Sequence, residues 1–421
     1  MILLKAVKLR PILTIWLMIL LPLILVAMIK GDGPVSLLAQ GFGLVSLSSL
    51  SVSLVLGCRS KWLDRFCGSL SLSYRLHHQI GLSVFIFLFL HVLMSAVPFS
   101  AVDATAVWDF LFDFHDPLIA TGWGGIFLLL AGVLFSKRKS LERNLWRWLH
   151  RFLVLGLVIS LAHFYFGFSK LNLGEALVLI YLVCSTLVLL CHLFFPQFIR
   201  NRFGYKITEV KSLSSDTSEI TMEPESKALQ FMPGQFIFLS VQSARVIGLT
   251  TEFHPYTLDS SPGERKIKVA VKALGDDSEK LTHIQSGNRV IVEGPYGNLL
   301  VNTDRNRPQL WIAGGIGVTP FISYIRWWKS SATEAHDVYL ILLERTAREN
   351  IFESEFSGLK GLKVKVHSDD QSGPPQLTQL LPADWKSREI AISGSSKMIK
   401  QFKRDLHRLG AHTIQTEEFD Y

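Results

Sequence analysis

The stretch Tyr74–His91, YRLHHQIGLSVFIFLFLH, limits the folds open to this chain more than any other. It is apolar over a length suited to a bilayer, whose hydrocarbon core is about 30 Å thick, and it carries a histidine near each end. His77 and His91 are fourteen residues apart. At about 100° per residue that separation returns to within about 40° of one helix face and advances about 21 Å. The two imidazoles therefore belong at two depths, one near each membrane surface.

A second apolar run, Trp146–Phe168, repeats the arrangement with His150 and His163. Ionisable groups inside membrane spans are costly and are usually functional. A lone histidine there is more often a helix–helix hydrogen-bonding group. Four at two matched depths on two helices point instead to two planar bis-histidine metal centres, meaning two b-type haems with metal ligands His77, His91, His150 and His163. The thirteen residues between His150 and His163 turn a straight helix by about 140°, so this helix is expected to be tilted or locally tightened. His78, offset by thirteen from His91, falls on the wrong face and reads as a headgroup-side residue.

The apolar residues, 49% of 421, are concentrated before Phe195. Six spans can be drawn, over about 12–29, 37–57, 75–97, 118–135, 146–168 and 173–195, making an all-α bundle. The net charge of +8 follows membrane topology and gives no reason to expect nucleic acid. Lys5, Lys8 and Arg10 precede the first span. Arg59, Lys61, Arg65 and Arg75 follow the second, Lys137 to Arg147 the fourth, and Arg200, Arg202 and Lys206 the sixth. The opposite loops hold only Lys30 and Lys170. Both termini are therefore expected on the cytoplasmic side. His77 then pairs with His150 at the inner face, where Arg75, Arg147 and Arg151 suit haem propionates, and His91 pairs with His163 at the outer face. The first run lacks a cleavage site and reads as an uncleaved span. The four cysteines form neither CxxC nor CxxCH, which argues against covalent haem attachment or a zinc site. The loop 99–117 is acidic, with Asp103, Asp109, Asp113 and Asp116 around His115.

After Arg202 the texture changes. The β-rich runs QFIFLSV, KIKVAVKAL and NRVIVEG, separated by Pro-Gly and Ser-Gly turns, predict a small antiparallel barrel. From Gln309 the pattern becomes strand, glycine-rich turn and helix, and the further strands VYLILLE, LKVKVHS and EIAISGS predict a parallel sheet. The glycines of AGGIGVTP, Ala313–Pro320, allow close approach of a pyrophosphate to a helix N-terminus. HPYTLDSSP, FMPGQF and VEGPYGNL accompany it.

On these motifs the soluble half resembles the ferredoxin-NADP reductase family. With the two histidine spans, the whole chain from about Ile12 to Tyr421 resembles the NADPH oxidase and ferric reductase superfamily, in particular its bacterial members without calcium-binding or regulatory additions. The resemblance implies three domains: 1–200 with six spans and two haems, 201–305 a β-barrel binding FAD, and 306–421 an α/β domain binding NADPH or NADH. It implies that Tyr256 lies against the flavin, Thr257 at its reactive edge, and His254 with Pro255 towards the diphosphate. Lys272, Gly275 and Ser278 would hold the FAD phosphates. Gly314, Gly315, Gly317, Thr319 and Pro320 match the nucleotide loop, and Arg345 and Thr346 the adenosine end. Ser393-Gly394-Ser395 replaces the family's Cys-Gly-Pro, which bears on hydride transfer. Phe419 matches the aromatic that shields the flavin, with two residues beyond it.

The implied activity carries electrons from cytoplasmic NAD(P)H through FAD and two haems to an external acceptor, dioxygen giving superoxide. With both axial positions occupied by imidazole, that acceptor is reduced without binding iron. A ferric chelate is the alternative, favoured by the acidic loop. A haem module reducing a protein partner is a third reading, against which the intact HPYT, GPYG and GGIGVTP motifs speak. No obligatory protein partner is evident. The expected location is a bacterial inner membrane.

Overall fold

The computed structural model describes residues 2–27, 34–136, 145, 149–150, 152–167, 173–194, 200–242, 252–301, 303–304, 306–331, 336–346 and 351–417. Phe419, Arg147, Arg151, Arg348, Lys30, Lys170 and the run 137–143 lie outside these residues. The chain divides into two compact units, with the main boundary between Ile199 and Arg200.

The described part of the first unit is helical: α1 (Ile2–Ala27), α2 (Pro34–Leu56), α3 (Lys61–Cys67), α4 (Leu70–Ser100), α5 (Ala104–Phe112), α6 (Pro117–Ser136), α7 (Phe152–Phe166) and α8 (Leu173–Phe194). Helices over Pro34–Leu56, Leu70–Ser100 and Pro117–Phe135 are long and apolar enough to cross a membrane. Shorter apolar helices occupy Pro11–Ile24, Phe152–Phe166 and Val178–Cys191. These six stretches fall where the six apolar runs lie in the sequence.

On α4 the exposed apolar residues Leu82, Ile86, Phe89 and Leu93 recur every three or four positions. They form a stripe opposite the face of His77, Val84 and His91. Such a stripe suits acyl chains, because lipid is the one solvent that accepts large apolar side chains without cost. Small hydroxyls link α2 to α4. Ser46 Oγ donates to Val84 O at 3.0 Å, Ser53 Oγ to His77 O at 3.0 Å and Ser73 Oγ to Leu56 O at 2.8 Å. Small residues let helix backbones approach, and a satisfied hydroxyl is favourable in an apolar interior.

The second unit holds two sheets. The first is antiparallel, ordered β4-β3-β6-β1-β2-β5, from β1 (Arg202–Ser212), β2 (Thr217–Pro224), β3 (Phe236–Val241), β4 (His254–Thr257), β5 (Ile267–Lys272) and β6 (Arg289–Tyr296). A bridge from Leu258, just past β4, to Val269 in β5 joins its two edges and gives the expected barrel. A short helix, α9 (Asp276–Thr282), follows β5. The second sheet is parallel, ordered β11-β10-β7-β8-β9, from β7 (Gln309–Gly314), β8 (Val338–Glu344), β9 (Leu362–Ser368), β10 (Glu389–Ser393) and β11 (Ile414–Glu417). Helices α10 (Thr319–Ser330) and α11 (Ser396–Arg408) follow β7 and β10. Strands β1, β2, β4 and β11 were not among the strand runs expected from the sequence, β4 being known there only as the HPYT motif.

Helix α10 is tied to the barrel by one cation. Arg326 Nη2 is 2.8 Å from Glu219 Oε1 and 2.8 Å from Glu355 Oε1, and Nη1 is 3.3 Å from Asp259 Oδ1. Alongside, Ser323 Oγ donates to Ser260 O at 2.8 Å. Glu219, Asp259 and Ser260 are all buried, so this charged junction lies away from water.

Candidate functional site

In the first unit four histidines meet as two facing pairs. The ring centres of His77 and His150 are 6.1 Å apart with planes at 70°, and those of His91 and His163 are 6.0 Å apart at 83°. An imidazole–metal–imidazole unit with metal–nitrogen bonds of about 2.0–2.1 Å sets two ring centres roughly 6 Å apart. Both separations fit one metal ion between each pair. With His150 ahead of α7 and His163 within it, a thirteen-residue interval thus delivers both rings as well as fourteen do on α4. His78 is exposed, its ring 5.4 Å from that of His77, and it is not part of either facing pair.

Backbone carbonyls set the tautomer. His77 Nδ1 lies 2.7 Å from Ser53 O, His91 Nδ1 2.8 Å from Ala39 O, and His163 Nδ1 2.8 Å from Leu118 O. A carbonyl oxygen only accepts, so each Nδ1 carries the proton and each Nε2 keeps the lone pair a metal needs. The His91–His163 pair opens on a cavity of about 280 Å³ lined by Gly43, Leu47, Phe110, Trp123, His91 and His163. This mostly apolar space lies directly against both rings. The donor set, its spacing and this space fit a haem at the outer pair, and the donors and spacing fit one at the inner pair.

The acidic loop is occupied locally. Asp103 Oδ1 caps α5, accepting from Ala106 N at 2.8 Å and Thr105 Oγ1 at 2.6 Å. Asp113 Oδ1 accepts from His115 N at 3.2 Å, and Asp116 Oδ1 from Leu118 N at 2.8 Å. Carboxylates in such positions satisfy exposed N–H groups at helix starts and turns.

In the second unit the HPYT residues form β4, paired in register with Phe236–Leu239 of β3. His254 Nε2 lies 3.0 Å from Asp277 Oδ2, which ties β4 to α9 and so brings HPYT beside the GDDS segment. Burial pushes the Tyr256 phenol well above its ordinary range, with the Asp277 charge adding to the shift, so it stays neutral. Ser278 Oγ accepts from Leu274 N and Gly275 N, each at 2.9 Å, and donates to Gly275 O. Lys272 Nζ is 3.4 Å from Asp216 and shares a cavity with Gly315, Ile316, Glu344 and Phe352. The structure therefore sets Lys272 beside the nucleotide loop as well as at the end of the barrel strand.

The glycine-rich turn begins with a 3-10 turn, Gly315–Val318, before α10. It lies at the carboxyl ends of the strands, where the chain order reverses between β7 and β10. Open α/β sheets place their ligands at such a point. A Cβ on Gly317 would lie 2.6 Å from both Ser393 O and Gly394 Cα, so only glycine lets these two strand ends close together. Gly315 has φ +53 and open space above it. Thr319 and Pro320 are buried, and Thr319 Oγ1 donates to Ile316 O at 3.0 Å, fixing the turn from behind. Arg345 and Thr346 are exposed just past the carboxyl end of β8.

Residues 42–161 match the family model of the ferric reductase like transmembrane component, and residues 202–299 that of an FAD-binding domain. Ferric reduction oxidase 2 of Arabidopsis thaliana is 32% identical over 140 residues, 31% of this chain and 19% of its own length. NADPH oxidase 3 of Rattus norvegicus is 32% identical over 152 residues, 33% of this chain and 26% of its own length. The chain thus spans well under half the length of these two relatives. Among solved structures, the flavohemoglobin from Malassezia yamatoensis with bound FAD and heme superposes with a TM-score of 0.51 at 16% identity, covering 94% of this chain and 98% of that one; the likeness is one of fold. A helical half matching the one model, a barrel matching the other, and relatives drawn from both kinds of oxidase together fit the NADPH oxidase and ferric reductase superfamily, which this chain resembles in both halves.

Proposed function

We propose that this protein is a transmembrane oxidoreductase that takes electrons from cytoplasmic NAD(P)H and delivers them to an acceptor beyond the outer face of a bacterial inner membrane, with dioxygen as the acceptor and superoxide as the product. The observation that carries this reading is the pair of facing histidine pairs, 6.1 and 6.0 Å between ring centres. When bound, FAD turns a hydride donor into a source of single electrons, and two b-type haems span the apolar layer.

The residues divide the work. His77 with His150 hold the inner haem and His91 with His163 the outer one, within six spans whose two ends are cytoplasmic. Residues 1–200 form that domain, 201–305 the FAD domain and 306–421 the nucleotide domain. In the FAD domain Tyr256 and Thr257 orient the isoalloxazine, and His254, Pro255, Gly275 and Ser278 line the phosphate side. Gly314, Gly315 and Gly317 let the nucleotide's phosphates approach the backbone, Lys272 faces that same cavity, and Ser393 borders the nicotinamide. No side chain is required as an acid or base, because what these groups do is bind, orient and exclude water. Three of the four loop aspartates, Asp103, Asp113 and Asp116, serve as cap and turn acceptors, a structural use that accounts for them without a ferric complex and supports dioxygen. The test is NADPH-driven haem reduction in detergent, followed by air with and without superoxide dismutase, and by ferric chelates. Reoxidation by air with superoxide formation is expected, and reoxidation by ferric chelate alone would overturn the choice of acceptor.

Nucleotide choice gives a separate prediction. A 2′-phosphate carries nearly two negative charges, and a charge-assisted contact to it is stronger than a neutral hydrogen bond. Arg345, exposed at the end of β8, is the residue we assign to that contact. NADPH should be preferred over NADH by about 5- to 150-fold, equivalent to about 1–3 kcal/mol. Arg345→Ala should raise the Michaelis constant for NADPH and leave that for NADH unchanged. Equal weakening of both would show that Arg345 does not read the 2′-phosphate.

A further inference from the structure

The histidines meet their carbonyl partners in one repeated register. His91 binds Ala39 O, and the residue of α2 that faces its ring is Gly43, four positions on. His77 binds Ser53 O and faces Gly57, again four positions on. His163 binds Leu118 O and faces Gly122, on α6, with the same interval. A Cβ on Gly43 would lie 2.8 Å from His91 Nδ1, one on Gly57 3.2 Å from His77 Nδ1, and one on Gly122 3.1 Å from His163 Nδ1. Helix geometry explains the interval. The carbonyl of residue i accepts the N–H of residue i+4, and side chains tilt towards the helix N-terminus. The side chain at i+4 therefore stands beside the oxygen of residue i. When that residue is glycine, the second lone pair of the oxygen is open to a donor from outside the helix. Ser53 O displays both bonds at once, accepting from Gly57 N at 3.0 Å and from His77 Nδ1 at 2.7 Å.

We infer that Gly43, Gly57 and Gly122 are positioning residues for the axial imidazoles: each opens a helix carbonyl four residues earlier, which fixes the tautomer and plane of one histidine and strengthens it as a ligand. This rests on the two-haem reading above. A hydrogen bond from Nδ1 to a carbonyl makes the other ring nitrogen more basic and so stabilises the oxidised metal. Gly43 on α2 and Gly57 just past its end, fourteen residues apart, thereby match His91 and His77, fourteen apart on α4.

The experiment compares Gly43→Ala, Gly57→Ala and Gly122→Ala in the full-length protein in detergent. Haem content, the midpoint potential of each haem and the low-field EPR line that reports the angle between axial imidazole planes are measured. Gly124→Ala is the control, since its Cβ would meet only Ile159 Cγ2 at 3.6 Å, an ordinary contact. Gly43→Ala and Gly122→Ala should both raise the potential and move the EPR line of the outer haem, or weaken its retention by about 10- to 100-fold as for other losses of ligand support. Gly57→Ala should do this to the inner haem, and in each variant the untouched haem reports an intact fold. Unchanged potentials and EPR lines, equal effects on both haems, or the same response from Gly124→Ala would overturn the inference while leaving the two-haem reading intact. A wild-type protein without two low-spin haems would instead overturn the reading itself.

Discussion

His91→Leu and His163→Leu should each lower the haem content from two per chain to one, and both should remove the same haem. His77→Leu and His150→Leu should remove the other. The expectation follows from the facing rings, 6.0 Å apart for the outer pair and 6.1 Å for the inner. A centre with two protein ligands loses half its coordination with either change. Leucine also fills most of the vacated volume, so the remaining pair serves as a check that the helices still pack. Pyridine haemochrome quantification against protein, with dithionite-reduced spectra of the haem that remains, measures the outcome. Transfer from NADPH to the external acceptor should stop in all four variants, whereas flavin reduction should continue at the wild-type rate, because the nucleotide and flavin motifs belong to the second unit. Loss of different haems from His91→Leu and His163→Leu would break the pairing.

Arg326→Met should destabilise the second unit by about 3–5 kcal/mol, the usual consequence of removing one partner from a buried ion pair. For a unit of this size that corresponds to a fall in melting temperature of roughly 6–20 °C. The cause is specific: three carboxylates, from Glu219, Asp259 and Glu355, share this one guanidinium within 3.3 Å, and removing it takes the nearest cation from buried Asp259 and leaves Glu219 and Glu355 only the more distant Lys268 and Lys329. The pH dependence follows from Asp259. Burial pushes its carboxyl up from 3.8 to about 7, against the opposing pull of Arg326. A carboxyl raised by folding favours the protonated folded state, so its contribution is present below its unfolded value and is lost as pH rises towards about 7. In Arg326→Met the opposing pull is gone, so the deficit should be smallest near pH 5 and largest near pH 8. Asp259→Asn alone should flatten the decline of wild-type stability across that interval. Thermal release of flavin from the full-length protein, followed by fluorescence at several pH values, measures both. A deficit that does not depend on pH between about 5 and 8 would exclude Asp259 as its source.

Much of this molecule was legible in the chain because the signals are local. An apolar run long enough for a bilayer admits only a helix there, since lipid offers no partner for a free backbone N–H or C=O. Fourteen residues on such a helix return a side chain to its face, which placed His77 and His91 before any contact was known. Alternating and continuous apolar runs likewise announced β3, β5 and β6 of the barrel and β7 to β10 of the parallel sheet, and the glycines of Gly314–Gly317 marked the turn between β7 and α10. Strands β1 and β2 carry too few apolar residues in a row to stand out, and β11 is only four residues long.

Other features depended on elements that meet only after folding. The thirteen-residue interval between His150 and His163 looked unfavourable along a single straight helix, but what matters is whether each ring reaches its partner on α4, and both do. Ala39, Ser53 and Leu118 offer carbonyls, which sequence never distinguishes, to histidines 52, 24 and 45 positions away. The fourteen-residue spacing of Gly43 and Gly57 was present in the sequence as a faint counterpart to that of the histidines, yet glycine in a membrane helix has many uses. Asp259 reads as an ordinary turn residue beside Ser260, and only the packing of α10 against the barrel buries it next to Arg326, 67 positions on. Periodicity and turn chemistry are written along the chain, whereas a shared cation, an opened carbonyl and a facing imidazole are relations between elements, and those exist only once tertiary packing has excluded water and brought the elements together.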